Sequence, residues 1–268
     1  MASNACGHDW VVTITQQEEE PELDSALINA VAELGEFTRF AIYINKTFNI
    51  GLPARLLNKN TAIEELSEHE VLDLLAKVSG NKEYGEEALK NIHWAITKQS
   101  ENGWFDDCCL DQPDSPLTHT LGYVTRGILE GYLYSRDECL LQSALKLAGA
   151  ITTLVDDEGY LPGRWYKDWT PAVSWVCLTG AVQIAHSLLI IYKETGHDKF
   201  LNTALKLNKY VRRTVRLSGE NEAMVGGIRG SYPIDGLYGR YEYLNWAAKF
   251  FIDSNMLEAE ILAEDLRA

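Results

Sequence analysis

The chain has 268 residues, enough to bury a sizeable core in one large domain or two smaller ones. Its formal net charge of −15 argues against nucleic acid and anionic membrane surfaces as partners, because both are polyanions. No apolar run approaches the roughly 20 residues that span a bilayer, and the five cysteines form no CxxC pair. We therefore expect a cytoplasmic protein without membrane insertion, disulfide framework, metal site or cofactor.

The first 66 residues are predicted to be an N-terminal arm and a helix that packs on the rest of the chain. Residues 11–15 alternate in hydrophobicity, which is typical of a short strand or an extended arm. Residues 24–48 have a helical period, with Asp24 or Ser25 as N-cap, and another helix is predicted at 67–80. Residues 67–268 are the predicted main domain.

An internal repeat organises this main domain. Ala-Leu-Lys occurs three times, and each copy is followed 15 residues after its alanine by a glycine. A proline comes 12 to 14 residues after each glycine, which completes the sets Ala88, Gly103, Pro116; Ala144, Gly159, Pro171; and Ala204, Gly219, Pro233. Three anchors in register predict three copies of one structural unit.

Each unit is predicted to be a helical hairpin. An amphipathic first helix ends near the glycine, and an irregular loop with the proline leads into a second, more apolar helix. We place the second helices inside because they are apolar around their circumference. The predicted outer helices span 84–99, 137–155 and 198–215, and the inner helices span 117–134, 174–192 and 241–262. Gly80 and Gly196 are the predicted C-caps before the first and third units.

The segments that join outer to inner helices are QSENGWF (99–105), DDEGYLPGRW (156–165) and GGIRGSYPIDGLYGRYEYLNW (226–246). With them, the chain resembles the (α/α) toroids of six-hairpin glycosidases, polysaccharide lyases, terpenoid cyclases and protein prenyltransferases. The resemblance implies an all-α, incomplete (α/α) toroid of repeated helical hairpins in inner and outer layers. Full toroids have about six hairpins and three are clear here, so a homo-oligomer or a partner chain is one way to complete the ring.

In such a fold, the long loops gather at one end and form the mouth of a cleft. Residues 159–175 combine tryptophans and tyrosines with charges, a composition that suits a sugar ring; the alternative is a loop buried on its own domain. Asp107 and Asp168 are our candidates for acid and base at a glycosidic bond. The predicted ligand-binding residues of the loops are Trp104, Asp106, Tyr160, Arg164, Trp165, Trp169, Arg229, Tyr232 and Asp235. Four other aspartates, Asp111, Asp114, Asp137 and Asp156, are expected to be caps or turn residues.

The inner helices carry polar stripes that predict either a water-filled lumen or an internal polar network. The stripes are His119, Tyr123, Arg126 and Glu130 on the first inner helix, Trp175, Thr179 and His186 on the second, and Glu242, Asn245 and Lys249 on the third. His119 is a third catalytic candidate, because a histidine and a tyrosine one turn apart suit proton abstraction in a lyase-type elimination. Tyr123, Arg126, Trp175 and Glu242 are predicted to bind substrate.

These observations predict a carbohydrate-active protein that most readily cleaves a glycosidic bond of an oligo- or polysaccharide ligand. One alternative is a non-catalytic glycan-binding or scaffold protein of surface-polysaccharide assembly. The other is a terpenoid or prenyl-type enzyme, against which the polar stripes argue. The same fold hosts all three, so the fold alone does not choose among them.

Overall fold

The computed structural model describes residues 82–109, 112–219 and 224–265. Contacts divide the chain into two compact units, 1–92 and 93–268. The predicted N-terminal domain (1–66) lies outside the described residues, as do the predicted helix at 67–80, Gly80 and Asp111.

The described residues contain six helices and one small antiparallel sheet. The helices are α1 (Lys82–Ile96), α2 (Thr118–Ser135), α3 (Glu138–Thr152), α4 (Leu178–Thr195), α5 (Asp198–Thr214) and α6 (Asn245–Asp265). Strands β1 (Val176–Cys177) and β2 (Ser231–Tyr232) pair with Val176 opposite Tyr232 and Cys177 opposite Ser231. In the described part, no helix is apolar over enough of its length to cross a membrane. The predicted all-α class is confirmed.

The helices of the second unit form two layers. In the inner layer, α4 packs between α2 and α6; in the outer layer, α3 lies beside α5. Helix α3 also packs on α2, and α5 packs on both α4 and α6. This is the predicted arrangement of inner and outer helices.

Burial explains which helix takes which layer. The outer helix α5 buries one face, whose apolar residues recur at helical spacing: Phe200, Leu201, Ala204, Leu207 and Val211. The inner helix α4 is buried around most of its circumference, from Leu178 to Ile191. The apolar side chains of α4 therefore have neighbours on every side, which only the inner layer provides.

The repeated glycines lie where neighbouring hairpin repeats contact each other. Gly103 has φ +89°, and a Cβ there would lie 2.8 Å from the carbonyl oxygen of Lys146. Gly159 has φ +84°, and its Cβ would overlap the carbonyl oxygen of Lys206. Lys146 and Lys206 each belong to the Ala-Leu-Lys segment of the next hairpin repeat. The glycine of one unit is thus required because the next outer helix passes directly over it.

Two inner helices begin four residues later than predicted. Helix α4 begins at Leu178 because Val176 and Cys177 pair with β2. Helix α6 begins at Asn245, because Tyr241 has φ +63° and Tyr243 forms a bridge with Arg229. As a correction to the predicted stripes, Trp175 and Glu242 therefore lie in the loops and not on inner helices.

Predicted helix ends are confirmed at the two links between units. Gly196 is the left-handed C-cap of α4, and its N–H donates to the carbonyl of Tyr192 at 2.7 Å. Asp137 is the N-cap of α3, where its carboxylate accepts from the N–H of Cys139 at 2.9 Å. These short links turn the chain from an inner helix directly into the next outer helix.

Candidate functional site

Three loops precede the inner helices, and their described residues are 97–109 and 112–117 in the first loop, 153–175 in the second loop, and 215–219 and 224–244 in the third loop. The second loop contacts both others. Leu117 of the first loop forms a bridge with Arg164, and β1, directly after the second loop, pairs with β2 of the third. The three loops therefore form one continuous surface at the end of the inner layer where α2, α4 and α6 begin.

A tryptophan cluster joins the first and second loops. The ring of Trp169 meets Trp104 edge-on at 5.2 Å and Trp165 at 6.3 Å, measured between ring centroids. Its indole N–H donates to the carbonyl of Asn102 at 3.0 Å. Trp104 and Trp165 are only 3% and 2% exposed. Their burial corrects the expectation that these two rings stack on a ligand: they hold the loops together, whereas Trp169 is half-buried.

Three aspartates of the loops, Asp106, Asp107 and Asp168, form ion pairs or hydrogen bonds with residues of the first and second loops. Asp106 forms an ion pair with Lys167, with N–O distances of 2.7 and 2.9 Å across the two loops. Asp107 lies 3.5 Å from Lys98 and has φ +62°. Asp168 accepts hydrogen bonds from the N–H and hydroxyl of Thr170, at 2.9 and 2.6 Å, and these bonds lower its pKa. All three carboxylates are exposed.

One further aspartate of the second loop has the predicted turn role. Asp156 accepts from the N–H groups of Glu158 and Tyr160, at 2.9 and 2.8 Å. Tyr160 in turn donates to the carbonyl of Ser174 at 2.8 Å.

Arg164 and Trp175, both predicted to bind substrate, are packed within the loop surface. Arg164 is 4% exposed and donates to the carbonyl of Ser115 at 2.7 Å. The ring of Trp175 packs on Gly163 of the second loop and on Gly236 of the third, where a Cβ would lie 2.9 Å from it. The hydrogen bond of Arg164 thus joins the first and second loops from a buried position.

A row of three tyrosines extends from the second loop to the third. Tyr210 of α5 lies between Tyr160 and Tyr232, with both centroid distances 6.3 Å. Burial, together with the neighbouring Tyr232, Tyr160 and Asp156, raises the pKa of Tyr210 to about 12. Tyr232 is 40% exposed, so this row reaches the surface.

The third loop also holds the other predicted residues Arg229, Asp235 and Glu242. Arg229 donates to the hydroxyl of Tyr243 at 3.3 Å, while Asp235 and Glu242 are exposed. They border the loop surface on the side of α6.

An aromatic wall lies where the inner helices begin. It consists of His119 and Tyr123 of α2, Tyr238 of the third loop and Phe250 of α6, and we name it the inner wall. The imidazole of His119 lies 4.6 Å from the Tyr123 ring and 5.1 Å from the Tyr238 ring, and Tyr123 meets Phe250 at 6.1 Å. Trp246 holds Tyr238 by donating its indole N–H to the phenol oxygen at 2.9 Å.

Polar and charged residues lie further along the inner helices, and we name them the lower cluster: Arg126, Glu130, His186, Lys249 and Asp253. Arg126 donates to Glu130 and to Nδ1 of His186, both at 2.6 Å. Lys249 lies 3.2 Å from Asp253. Burial, with Arg126 and Lys249 nearby, lowers the pKa of His186 to about 3, so its imidazole is neutral. The predicted stripe on α2 is thus partly a polar network between α2 and α4.

The lower cluster borders an open cavity of about 560 Å³. The cavity is lined by His186 of α4 and by five residues of α6: Asp253, Met256, Leu257, Ala259 and Glu260. Residues 82–109, 112–219 and 224–265 contain no group of three histidine, cysteine or carboxylate side chains that is arranged to hold a metal ion.

Of the three catalytic candidates, Asp107 and Asp168 lie on the loop surface, and His119 lies in the inner wall. Sequence reasoning missed Gln183, whose amide contacts His119, and also Tyr210 and Phe250. Gln183 follows Thr179 by four residues, so helical spacing was the signal that could have placed it on the polar stripe of α4.

No family model and no curated protein match the sequence. Solved structures with a similar fold include the unsaturated glucuronyl hydrolase of Bacillus sp. GL1, with 16% identity and a TM-score of 0.56, over 69% of this chain and 54% of that one. Cellobiose 2-epimerase of Bacillus thermoamylovorans has 15% identity and a TM-score of 0.55, over 72% of this chain and 52% of that one. A polysaccharide lyase has 16% identity and a TM-score of 0.52, over 91% and 71%.

The chain therefore spans about half the length of the hydrolase and epimerase structures. All three similar structures are carbohydrate-active enzymes of different reaction types. The described residues thus have an (α/α)-toroid fold, and no single family is identified.

Proposed function

We propose that this protein binds an oligosaccharide or polysaccharide at the inner wall. The observation that carries the proposal is the convergence of His119, Tyr123 and Tyr238 from two separate hairpins, with rings 4.6 and 5.1 Å from the imidazole. Sugar rings pack on aromatic faces through their C–H groups, while their hydroxyls require fixed polar partners. The inner wall places aromatic faces and polar groups next to each other in space.

The similar structures support a carbohydrate ligand without choosing the reaction. By name, one hydrolyses unsaturated glucuronyl groups, one epimerises cellobiose and one is a polysaccharide lyase. Because one fold carries three chemistries, the reaction has to be argued from the side chains of this chain.

Cleavage of a glycosidic bond by Asp107 and Asp168 is the second candidate function. The lowered pKa of Asp168 suits a base or nucleophile, so Asp107 would be the proton donor. Asp107 lies 3.5 Å from the ammonium group of Lys98, and Asp168 is bonded to Thr170, so both carboxylates already have partners within the loops. We therefore put carbohydrate binding before cleavage.

The test begins with an array of oligo- and polysaccharides, followed by titration calorimetry with each retained glycan. Removal of the ring in Tyr238→Ala should weaken binding about tenfold or more, because aromatic contacts dominate such sites. Trp94→Ala is the control, since that ring is exposed and lies outside the inner wall. Absence of any retained glycan, or equal weakening in both variants, would contradict the proposal.

The retained glycan also tests cleavage. If Asp107 and Asp168 are acid and base, Asp107→Asn and Asp168→Asn should abolish product formation while the melting temperature barely changes. Binding without product in the unchanged protein would establish a glycan-binding or scaffold role. Full activity in both variants would remove these two residues from the mechanism.

A further inference from the structure

His119 has one defined hydrogen bond, and its partner fixes where the imidazole proton lies. Nδ1 of His119 is 2.6 Å from Oε1 of Gln183, and His119 is 5% exposed. An amide oxygen has no hydrogen to donate, so Nδ1 must carry the proton of the neutral ring. The lone pair of that ring is then on Nε2.

Among the described residues, the groups that face the imidazole of His119 are Tyr123 of α2, Gln183 of α4 and Tyr238 of the third loop, and none of them is charged. The thiol of Cys177 of β1 lies against the backbone N–H of His119. Burial raises the pKa of both Cys177, to about 12, and Tyr238, so neither is ionised near neutral pH. Burial lowers the pKa of His119 to about 4, with the Gln183 bond opposing it, and the ring therefore stays neutral.

Two glycines bring Gln183 into position. A Cβ on Gly122 would lie 2.8 Å from Cβ of Gln183 and 2.9 Å from its Oε1. A Cβ on Gly180 would lie 2.5 Å from the backbone nitrogen of His119. Helices α2 and α4 can cross this closely only because both positions lack side chains, and the crossing places the amide beside the imidazole.

Nε2 of His119 is the ring nitrogen that is left without a partner within the described part of the protein. Within the described ranges, Nε2 has no hydrogen-bond partner, and it is not among the fully buried side-chain atoms that lack one. The small exposed area of this residue therefore includes its free lone pair. A neutral imidazole with a fixed proton and an open acceptor suits a ligand that donates a hydrogen bond.

We propose that Gln183 is a positioning residue that holds His119 as the Nδ1–H imidazole, so that Nε2 accepts a hydrogen bond from a hydroxyl of the bound carbohydrate. The proposal rests on the proposed carbohydrate function, and it adds the group that recognises a sugar hydroxyl. The tyrosine rings on either side of the imidazole place this acceptor beside surfaces on which a sugar ring packs.

The first test needs no ligand. Nitrogen-15 spectra of the histidine rings, recorded from pH 4 to 8, should show the Nδ1–H form of His119 and no protonation above about pH 5. An Nε2–H form, or protonation near pH 6.5, would overturn the positioning by Gln183 whatever the protein binds. Gln183→Met, which keeps the length but lacks the amide, should give a mixture of the two tautomers.

The second test uses the glycan that the array retains. Gln183→Met should weaken binding about tenfold at all pH values. Gln183→Glu should restore binding at pH 8, because its carboxylate also accepts from Nδ1–H. At pH 5.5 it should lose binding, since the carboxylate stabilises the imidazolium and Nε2 then carries a proton. Circular dichroism and melting temperatures verify that both variants fold.

The two proposals fail in different ways. If no glycan is retained, the hydroxyl-accepting role falls with the proposed function, while the spectra still decide the tautomer. If glycan binds equally well to the unchanged protein and to Gln183→Met, the proposed function stands and the role of Gln183 is overturned. Binding by Gln183→Glu that is independent of pH would exclude Nε2 as the acceptor.

Discussion

Single glycines determine how closely neighbouring hairpin repeats can pack. Gly159 combines a left-handed backbone with direct contact to the carbonyl of Lys206, so both its conformation and its missing side chain are required. Gly196 has a similar φ of +67°, but a Cβ there would meet no atom within 4 Å. A comparison of the two glycines therefore distinguishes the cost of backbone strain from the cost of a steric overlap.

We predict that Gly159→Ala lowers the free energy of unfolding by about 3 kcal/mol, because left-handed strain and overlap with the next helix add. Gly196→Ala should lose about 1 kcal/mol, from strain alone. Urea unfolding of the second unit within the full chain, followed by tryptophan fluorescence, measures both. Equal losses would show that Gly159 is needed only for its backbone conformation.

At the same scale, the aspartates show what sequence can predict. Asp137 and Asp156 are recognisable because each stands just before a helix or turn and has N–H groups two to four residues later. Asp168 accepts bonds from Thr170 in the same local way, yet its aromatic surroundings also fit a site residue. Local sequence describes the turn, whereas the burial of Trp104 and Trp165 depends on two loops meeting.

At the scale of elements, the helices were predictable and their starting points were not. An outer helix such as α5 displays its layer in its own periodicity, because one face meets the core. The start of α4 depends on β2, which lies more than 50 residues further along the chain. A pairing at that distance leaves no periodic signal in residues 174–177.

Among the contacts that join the first and second loops are an aromatic contact and an exposed ion pair, which differ in strength. Trp169→Ala should destabilise the protein by about 2 kcal/mol, since it removes contacts with Trp104 and Trp165. Asp106→Ala should cost less than about 1 kcal/mol, because its ion pair with Lys167 is half-exposed.

Hydrogen exchange of the Ser100 amide measures this difference, because that N–H donates to the carbonyl of Trp104 inside the first loop at 2.7 Å. Protection should fall in Trp169→Ala and persist in Asp106→Ala. The opposite order would mean that charge, and not aromatic packing, holds the loops.

At the scale of the whole molecule, the hairpin repeat was predictable because its anchors recur in sequence, but the inner wall was not. Its members come from α2, the third loop and α6, and no single hairpin contains the pattern. Gln183 had the right helical spacing, yet its contact with His119 depends on the crossing of α2 and α4. Sequence periodicity thus predicts layers, while the site arises where separate repeats meet.

The inner layer also predicts how stability depends on pH. His119 and His186 have pKa values lowered to about 4 and about 3 by burial, against about 6.5 in the unfolded chain. Between these values the unfolded state binds more protons, so stability is complete above about pH 6.5 and falls as the pH decreases. Between pH 8 and pH 5, protonation of each histidine in the unfolded chain should lower the free energy of unfolding by about 2 kcal/mol.

Urea unfolding at pH 8 and pH 5 tests this with His186→Gln, whose amide oxygen can still accept from Arg126. The variant should lose about 2 kcal/mol less than the unchanged protein over that interval, because one buried base no longer titrates. His197→Gln is the matched control, since His197 is exposed, and it should keep the original pH dependence. An unchanged slope in His186→Gln would mean that the imidazole of His186 becomes charged inside the folded protein, so that Arg126 and Lys249 do not exclude its proton.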